Sequence, residues 1–359
     1  MKKHISILFL AFTTVVLHSC FPTKSSKNVD VSKVDLKLSV ARFEQDFFEI
    51  NTANIADKET EMLHRYGEFY NDYVLGMMGF GAPISRVDTV KHDPNPELLE
   101  YVSDKNVRHL YDTTQLVFKD FSKVQKPLED ALRHFQYYFS NKKVTQLYTV
   151  LSGLHVNELG TGTITYGDST LVVFLDMYLG ANFKDYDYVV INGEALPEFK
   201  RRRLCPEYIT PHCMEVLYNL HFDKTAYNAE LPLIEAMVNE GKRFYFMECM
   251  MPEAADSLLI GYTGFQAAWC SKSEKNIWQY FSEKDLLYKV NFMEQKRYIS
   301  DGPSTPGMPP ESPGRVGAWL GWQIVRKYMK DADGKVTLSD LLAKVDAKSI
   351  LVKANYKPK

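Results

Sequence analysis

The chain has 359 residues, of which 45% are hydrophobic, 25% charged and 13% aromatic, enough apolar side chain for a large core and too much for a mostly disordered protein. Lysine and arginine number 43 against 45 aspartates and glutamates, and the formal net charge of -2 excludes a global field that would draw the protein onto nucleic acid.

The N-terminus reads as a targeting segment. Lys2 and Lys3 form a positive start, and Ile5 to Leu17 is an apolar run of signal-peptide length, too short to span a bilayer comfortably. It ends in Leu17-His18-Ser19-Cys20, which resembles a bacterial lipobox. Residues 1–19 are therefore expected to be a lipoprotein signal peptide, with Cys20 as the lipidation site. Residues 20–35 are then a lipid-anchored tether, polar from Thr23 to Asn28, and residues 36–359 a single domain. More than one acyl chain on Cys20 would anchor stably, at about 0.8 kcal/mol per buried methylene. Membrane lipid is the first expected partner. The remaining cysteines, Cys205, Cys213, Cys249 and Cys270, form no CxxC pair and are expected to be reduced and mostly buried.

From Val40 to Asn141 the pattern is helical. Leu63, Tyr66, Tyr70, Tyr73, Val74 and Met77 recur at three and four residues, as do Phe121, Val124, Leu128, Leu132, Phe135 and Tyr138, and both stripes read as core faces. Pro94 and Pro96 mark a loop between them. After Lys143 the period shortens: Leu147 to Leu151, Ile164 to Tyr166, Leu171 to Leu175 and Tyr188 to Ile191 predict a small central sheet. Gly160-Thr161-Gly162 lacks a following Gly-Lys-Ser/Thr and reads as a turn.

Past Leu196-Pro197 the helical period returns, through Val216, Leu233 to Met251 and Ile277 to Phe292, and a loop rich in proline and glycine, Gly302 to Gly314, opens a last strong helix from Arg315 to Met329. The basic cluster Lys200-Arg201-Arg202-Arg203 reads as a solvated loop. Arg315 stands where the helix dipole disfavours a cation, so a carboxylate partner is expected. Gly317 and Gly321 give a GxxxG spacing, but Arg315, Gln323, Arg326 and Lys327 interrupt the apolar run, which points to packing inside the domain and makes Gly317→Leu destabilising. The fold class is α+β, mainly helical.

The stretch ITPHCMEVLYNLHF, Ile209 to Phe222, carries the chemistry worth testing. An HExxH zinc site needs two histidines four residues apart on one helical face and a glutamate beside the first. Here His212 is retained, the base position is Cys213 and the second ligand position is Val216, while Glu240 lies about where a third ligand on the next helix would fall. Glu215, at i+3 from His212, offers a one-histidine, two-carboxylate alternative with Glu240. His221 joins only if the helix ends or bends.

The order of the Leu171–Leu175 strand, Leu175-Asp176-Met177-Tyr178-Leu179-Gly180, the His212 helix and Glu240 resembles predicted zinc-dependent peptidases of the gluzincin type. The chain is more similar to one branch, the gliding motility lipoprotein GldB family, in Val40 to Ile50, Leu175 to Gly180, Gly261-Tyr262-Thr263, Tyr356-Lys357-Pro358 and above all Glu311-Ser-Pro-Gly-Arg-Val-Gly-Ala-Trp-Leu-Gly-Trp-Gln-Ile-Val325. The resemblance implies a zincin-like single domain and leaves its own activity open; because the base and one ligand are missing, His212, Cys213, Val216 and Glu240 are expected to be vestigial positions, with no catalytic residues, metal or cofactor. It further implies a membrane-anchored lipoprotein, expected to face the periplasm, and the lack of an acidic retention residue at Phe21-Pro22 points to the outer rather than the inner membrane. Its partners would belong to the gliding motility and type IX secretion apparatus. The alternative is a divergent metal-dependent peptidase or hydrolase using His212 and Glu240.

Overall fold

A computed structural model describes residues 29–81, 95–154, 162–191, 193–222 and 230–358. The signal-like run, Cys20, Pro94 and the Gly160-Thr161 pair lie outside the described residues. Val31 is buried, so packing begins inside the segment read as a tether.

Among the described residues the chain is mainly helical with one four-stranded mixed sheet, in agreement with an α+β class. The strands are β1 (Ser39–Arg42), β2 (Gln146–Val150), β3 (Thr163–Tyr166) and β4 (Thr170–Phe174), in the order β1-β2-β4-β3. β2 runs parallel to both β1 and β4, with Val40 opposite Leu147 and Leu147 opposite Leu171, whereas β3 returns antiparallel along β4. β4 is buried on both faces from Leu171 to Phe174, hence its unbroken apolar run. The stretch around Val40 was expected to be helical; it is instead an edge strand. Val190–Ile191 belongs to a separate two-stranded ribbon with Glu194–Ala195, not to the central sheet.

The aromatic stripes form helices as their spacing predicts. Ile55–Tyr66 ends at Gly67, which has φ 62°, and the chain resumes in Glu68–Asn71 and a π-helical turn, Asp72–Met77. Ser122–Tyr138 buries Val124, Leu128, Leu132 and Phe135. Pro96 is the first residue of the helix Pro96–Ser103, where its missing N–H is unneeded, and the Asn95 side chain caps that helix by accepting from the Glu97 and Leu98 amides. The helix expected from Ile277 to Phe292 is divided: Gly264–Glu283 ends at a turn through Asp285, with φ 52°, and Phe292–Ile299 starts anew. The four described cysteines are free; Cys213, Cys249 and Cys270 are buried and Cys205 is half-buried.

Two long helices make the closest contact in the core, Leu233–Met250 and Val316–Ala332. A Cβ on Gly321 would lie 1.7 Å from the Met237 carbonyl oxygen, and one on Gly241 would lie 2.3 Å from the Gly321 carbonyl. The two backbones touch there, so the GxxxG spacing serves packing within the domain. The pair is locked further along by Glu248, which accepts from Trp322 Nε1 at 3.0 Å and from Arg326 Nε at 2.9 Å. No helix among the described residues is long and apolar enough to cross a membrane.

Gly321→Ala is expected to lower stability by more than about 3 kcal/mol in urea unfolding, because the added methyl meets backbone that cannot yield. Gly264→Ala, at a position open to solvent in a helix's first turn, should be neutral or stabilising by up to about 1 kcal/mol. Equal urea midpoints for the two variants would refute the backbone contact.

Candidate functional site

The site begins at the carboxyl ends of β2 and β4. Beyond Phe174 the chain turns through the 3-10 segment Leu175–Tyr178, and the fully buried Asp176 carboxylate accepts from the Ser152 amide at 2.9 Å, the Ser152 hydroxyl at 2.9 Å and the Leu154 amide at 2.8 Å. Burial raises the Asp176 pKa, and these donors oppose it. The carboxylate thereby ties the end of β2 to the end of β4 and aims Tyr178 at the next layer. The Tyr178 hydroxyl lies 2.7 Å from Thr163 Oγ1 at the start of β3 and 2.9 Å from His212 Nδ1 on the helix Ile209–His221.

His212 is 5% exposed, set between the rings of Tyr178 and Tyr208 with centroids 5.7 and 5.8 Å away. Burial pushes its pKa down to about 4; Glu215 pulls the other way, and the Arg203 and Arg315 guanidiniums reinforce the fall. The imidazole is neutral at neutral pH. The neighbouring Cys213 thiol is buried against Thr163, and burial raises its pKa well above the ordinary value, so it is no base. Val216 is buried and offers no donor. His221 ends the helix, 3.4 Å from Lys142 Nζ and stacked on Phe135, away from His212.

Glu215 and Glu240 do come together, on a guanidinium. Arg243 Nη1 is 2.6 Å from Glu215 Oε1, and Arg243 Nη2 is 2.6 Å from Glu240 Oε2, with the ring of Phe244 beneath at 4.3 Å. Burial alone would raise the Glu215 carboxyl, but Arg243, His212, Arg315 and Arg203 outweigh it and hold it below the ordinary 4.5. Burial likewise disfavours the Arg243 charge, and Glu240 and Glu215 reverse that, raising its pKa. Beside this clamp Asp301 binds both Arg203 and Arg315, the latter at 3.0 Å. Arg315 thus has the carboxylate its place before a helix calls for, and it holds a left-handed φ of 50° to reach it. Tyr262 donates to the Gly314 carbonyl at 2.7 Å, joining the Gly261-Tyr262-Thr263 stretch to the Glu311–Val325 block.

The basic cluster is not a solvated loop. Arg201 binds Asp187 and the Ala181 and Phe183 carbonyls, Arg202 binds the Gly261 carbonyl and Gln266, and Arg203 binds Asp301.

A zinc ion needs three protein donors converging on one point. Among the described residues no three of His, Cys, Asp and Glu do so. His212 turns Nδ1 to a tyrosine, and each glutamate commits an oxygen to Arg243, so the donor set as arranged does not fit a metal. The Arg243 clamp instead pins the His212 helix to the Glu240 helix, and Asp301 ties Arg315, at the head of Val316–Ala332, to Arg203 just before the His212 helix. Sequence reasoning missed Arg243, Arg203 and Asp301. Only Glu240 and Arg243, three apart on one helical face, left a legible trace.

Compared with known protein families, residues 24–358 match the model described as Gliding motility protein GldB. No curated protein and no solved structure matches the chain.

Stability is expected to fall on acidification in two windows. The unfolded imidazole of His212 takes a proton near 6.5 and the folded one near 4, so stability declines as pH drops between those values. The Glu215 carboxyl is held below 4.5, so its pairing contributes fully above that pH and is lost as pH falls through the lower folded value. His212→Gln should flatten the upper window, and an imidazole NMR titration should show a midpoint near 4; a midpoint near 6.5 would refute the buried setting. Arg243→Met leaves two carboxylates facing each other and should cost roughly 2–4 kcal/mol at neutral pH, a deficit that shrinks in acid. An unchanged urea midpoint would show that the clamp does not hold the helices.

Proposed function

The chain belongs to the gliding motility protein GldB family, and from that premise we propose that it is a lipid-anchored motility lipoprotein that works by protein contact rather than by catalysis. The observation that carries this is the Arg243 clamp. A resident guanidinium occupies both carboxylates that a metal would need, and Val216 stands where the second histidine would be. On this reading His212, Cys213, Val216 and Glu240 are vestigial positions on a zincin-like scaffold whose remaining polar groups now brace helices. Acylated Cys20 would hold the domain at the membrane, facing the periplasm. The absence of an acidic residue in Phe21-Pro22 favours the outer membrane, and its absence from Thr23 to Asn28 favours the inner leaflet over surface display. Its partners would be proteins of the motility and type IX secretion apparatus.

Elemental mass spectrometry of the purified chain after Cys20, with His212→Ala and Glu240→Ala alongside, should give metal near background in all three. Stoichiometric zinc lost in both variants would replace this proposal with the metal-dependent hydrolase. Cys20→Ser should abolish radioactive palmitate labelling in cells while leaving a folded protein; persistent labelling would refute the anchor.

A further inference from the structure

The break between the helices Gly264–Glu283 and Phe292–Ile299 produces an outward face unlike the rest of the surface. Its backbone is fixed: the Leu233 amide donates to the Lys289 carbonyl at 3.0 Å, the Ile234 amide donates to the Leu287 carbonyl at 2.9 Å, and Leu286 and Leu287 are buried. From this held segment Tyr288, Val290 and Met293 stand out, 79%, 56% and 69% exposed. A run of large apolar side chains on a rigid protrusion is costly in water and marks a contact surface.

The surroundings are cationic. An open cavity of about 430 Å³ is lined by Lys284, Lys289, Arg297, Glu294, Tyr280 and Tyr298, and a second of about 410 Å³ adjoins it across Glu294, Arg297 and Pro306, with Lys296 and Met293 on its wall. The face also carries Glu283 and Asp285. Within the first cavity, however, the single carboxylate, Glu294, is bound to Arg297 at 3.3 Å. Lys284, Lys289 and Lys296 have no ion-pair partner among the described residues.

From this combination we infer that the face formed by Lys284 to Arg297 docks onto an anionic phospholipid bilayer, a lipid phosphate entering the lysine-lined cavity while Tyr288, Val290 and Met293 enter the headgroup boundary. Tyrosine and aliphatic side chains beside lysines are the composition that partitions to that boundary, where anionic headgroups attract each cation. An acidic protein surface would satisfy the lysines and leave Val290 and Met293 against polar groups. The inference rests on the anchored reading only in that Cys20 would keep the face near a membrane.

The test uses the chain from residue 29 onward, which contains every described element and the buried core but lacks Cys20 and the apolar run. It is sedimented with vesicles of phosphatidylcholine alone or with added phosphatidylglycerol. Binding should require phosphatidylglycerol, weaken as salt rises toward about 0.15 M, and fall roughly fivefold for each lysine removed in Lys284→Ala and Lys289→Ala. Val290→Ser with Met293→Ser should weaken it as well; all four positions are exposed, so melting temperatures should not move. No sedimentation, or equal sedimentation with phosphatidylcholine alone, would overturn the docking face. Displacement by glycerol phosphate with no effect of the Val290 and Met293 changes would reassign the cavity to a small soluble anion. Displacement by polyglutamate with the same indifference would reassign it to an acidic protein. Because Cys20 is absent from this chain, none of these outcomes bears on the lipid anchor.

Discussion

The backbone contact between Leu233–Met250 and Val316–Ala332 is the constraint on which the rest depends. Gly241 and Gly321 leave no room for a side chain between the helices, and so fix both their separation and their rotation. With that set, Glu240 and Arg243 on the first helix have one place to point, toward the helix that carries His212 and Glu215. Arg315, at the head of the second, is brought to Asp301. Packing precedes electrostatics here: ion pairs in poor solvent contact repay their desolvation only when geometry is imposed on them.

What results is a compact balance of opposite charges around a neutral imidazole. Arg203, Arg243 and Arg315 face Glu215, Glu240 and Asp301, and each carboxylate is bound to at least one guanidinium. Each of these carboxylates and guanidiniums has an ion-pair partner, while the buried Nε of Arg315 has no hydrogen-bond partner among the described residues, and paired polar networks rigidify the elements they join.

Much of this was legible in the sequence, for physical reasons that differ by element. The Ser122–Tyr138 stripe and the apolar run Leu171–Phe174 announce themselves because burial on one helical face or on both sheet faces writes a period into the chain. Arg315's need for an acid followed from the dipole, and the glycine spacing with interrupting charges followed from polarity. Other features were invisible because they are made by distant residues. Ser39–Arg42 is an edge strand only through β2, and nothing in four residues distinguishes it from the helix that follows. The arginines of the 200–203 cluster look solvated until Asp187, Gln266 and Asp301 arrive from elsewhere. Likewise, Glu215 and Glu240 look like candidate ligands until Arg243 reaches across two helices to join them.

The pairing of β1 with β2 has a bearing on how the molecule is made. Ser39 sits beside Gln146 in a parallel ladder, and the whole aromatic helical layer is strung between them. Closing so long a segment is entropically costly and slow relative to local helix formation. A chain threaded through any pore N-terminus first therefore delivers its opening strand long before the strand that receives it. The helices can form on emergence, while the sheet, and with it the Asp176 turn that aims Tyr178 at His212, waits for the middle of the chain to arrive.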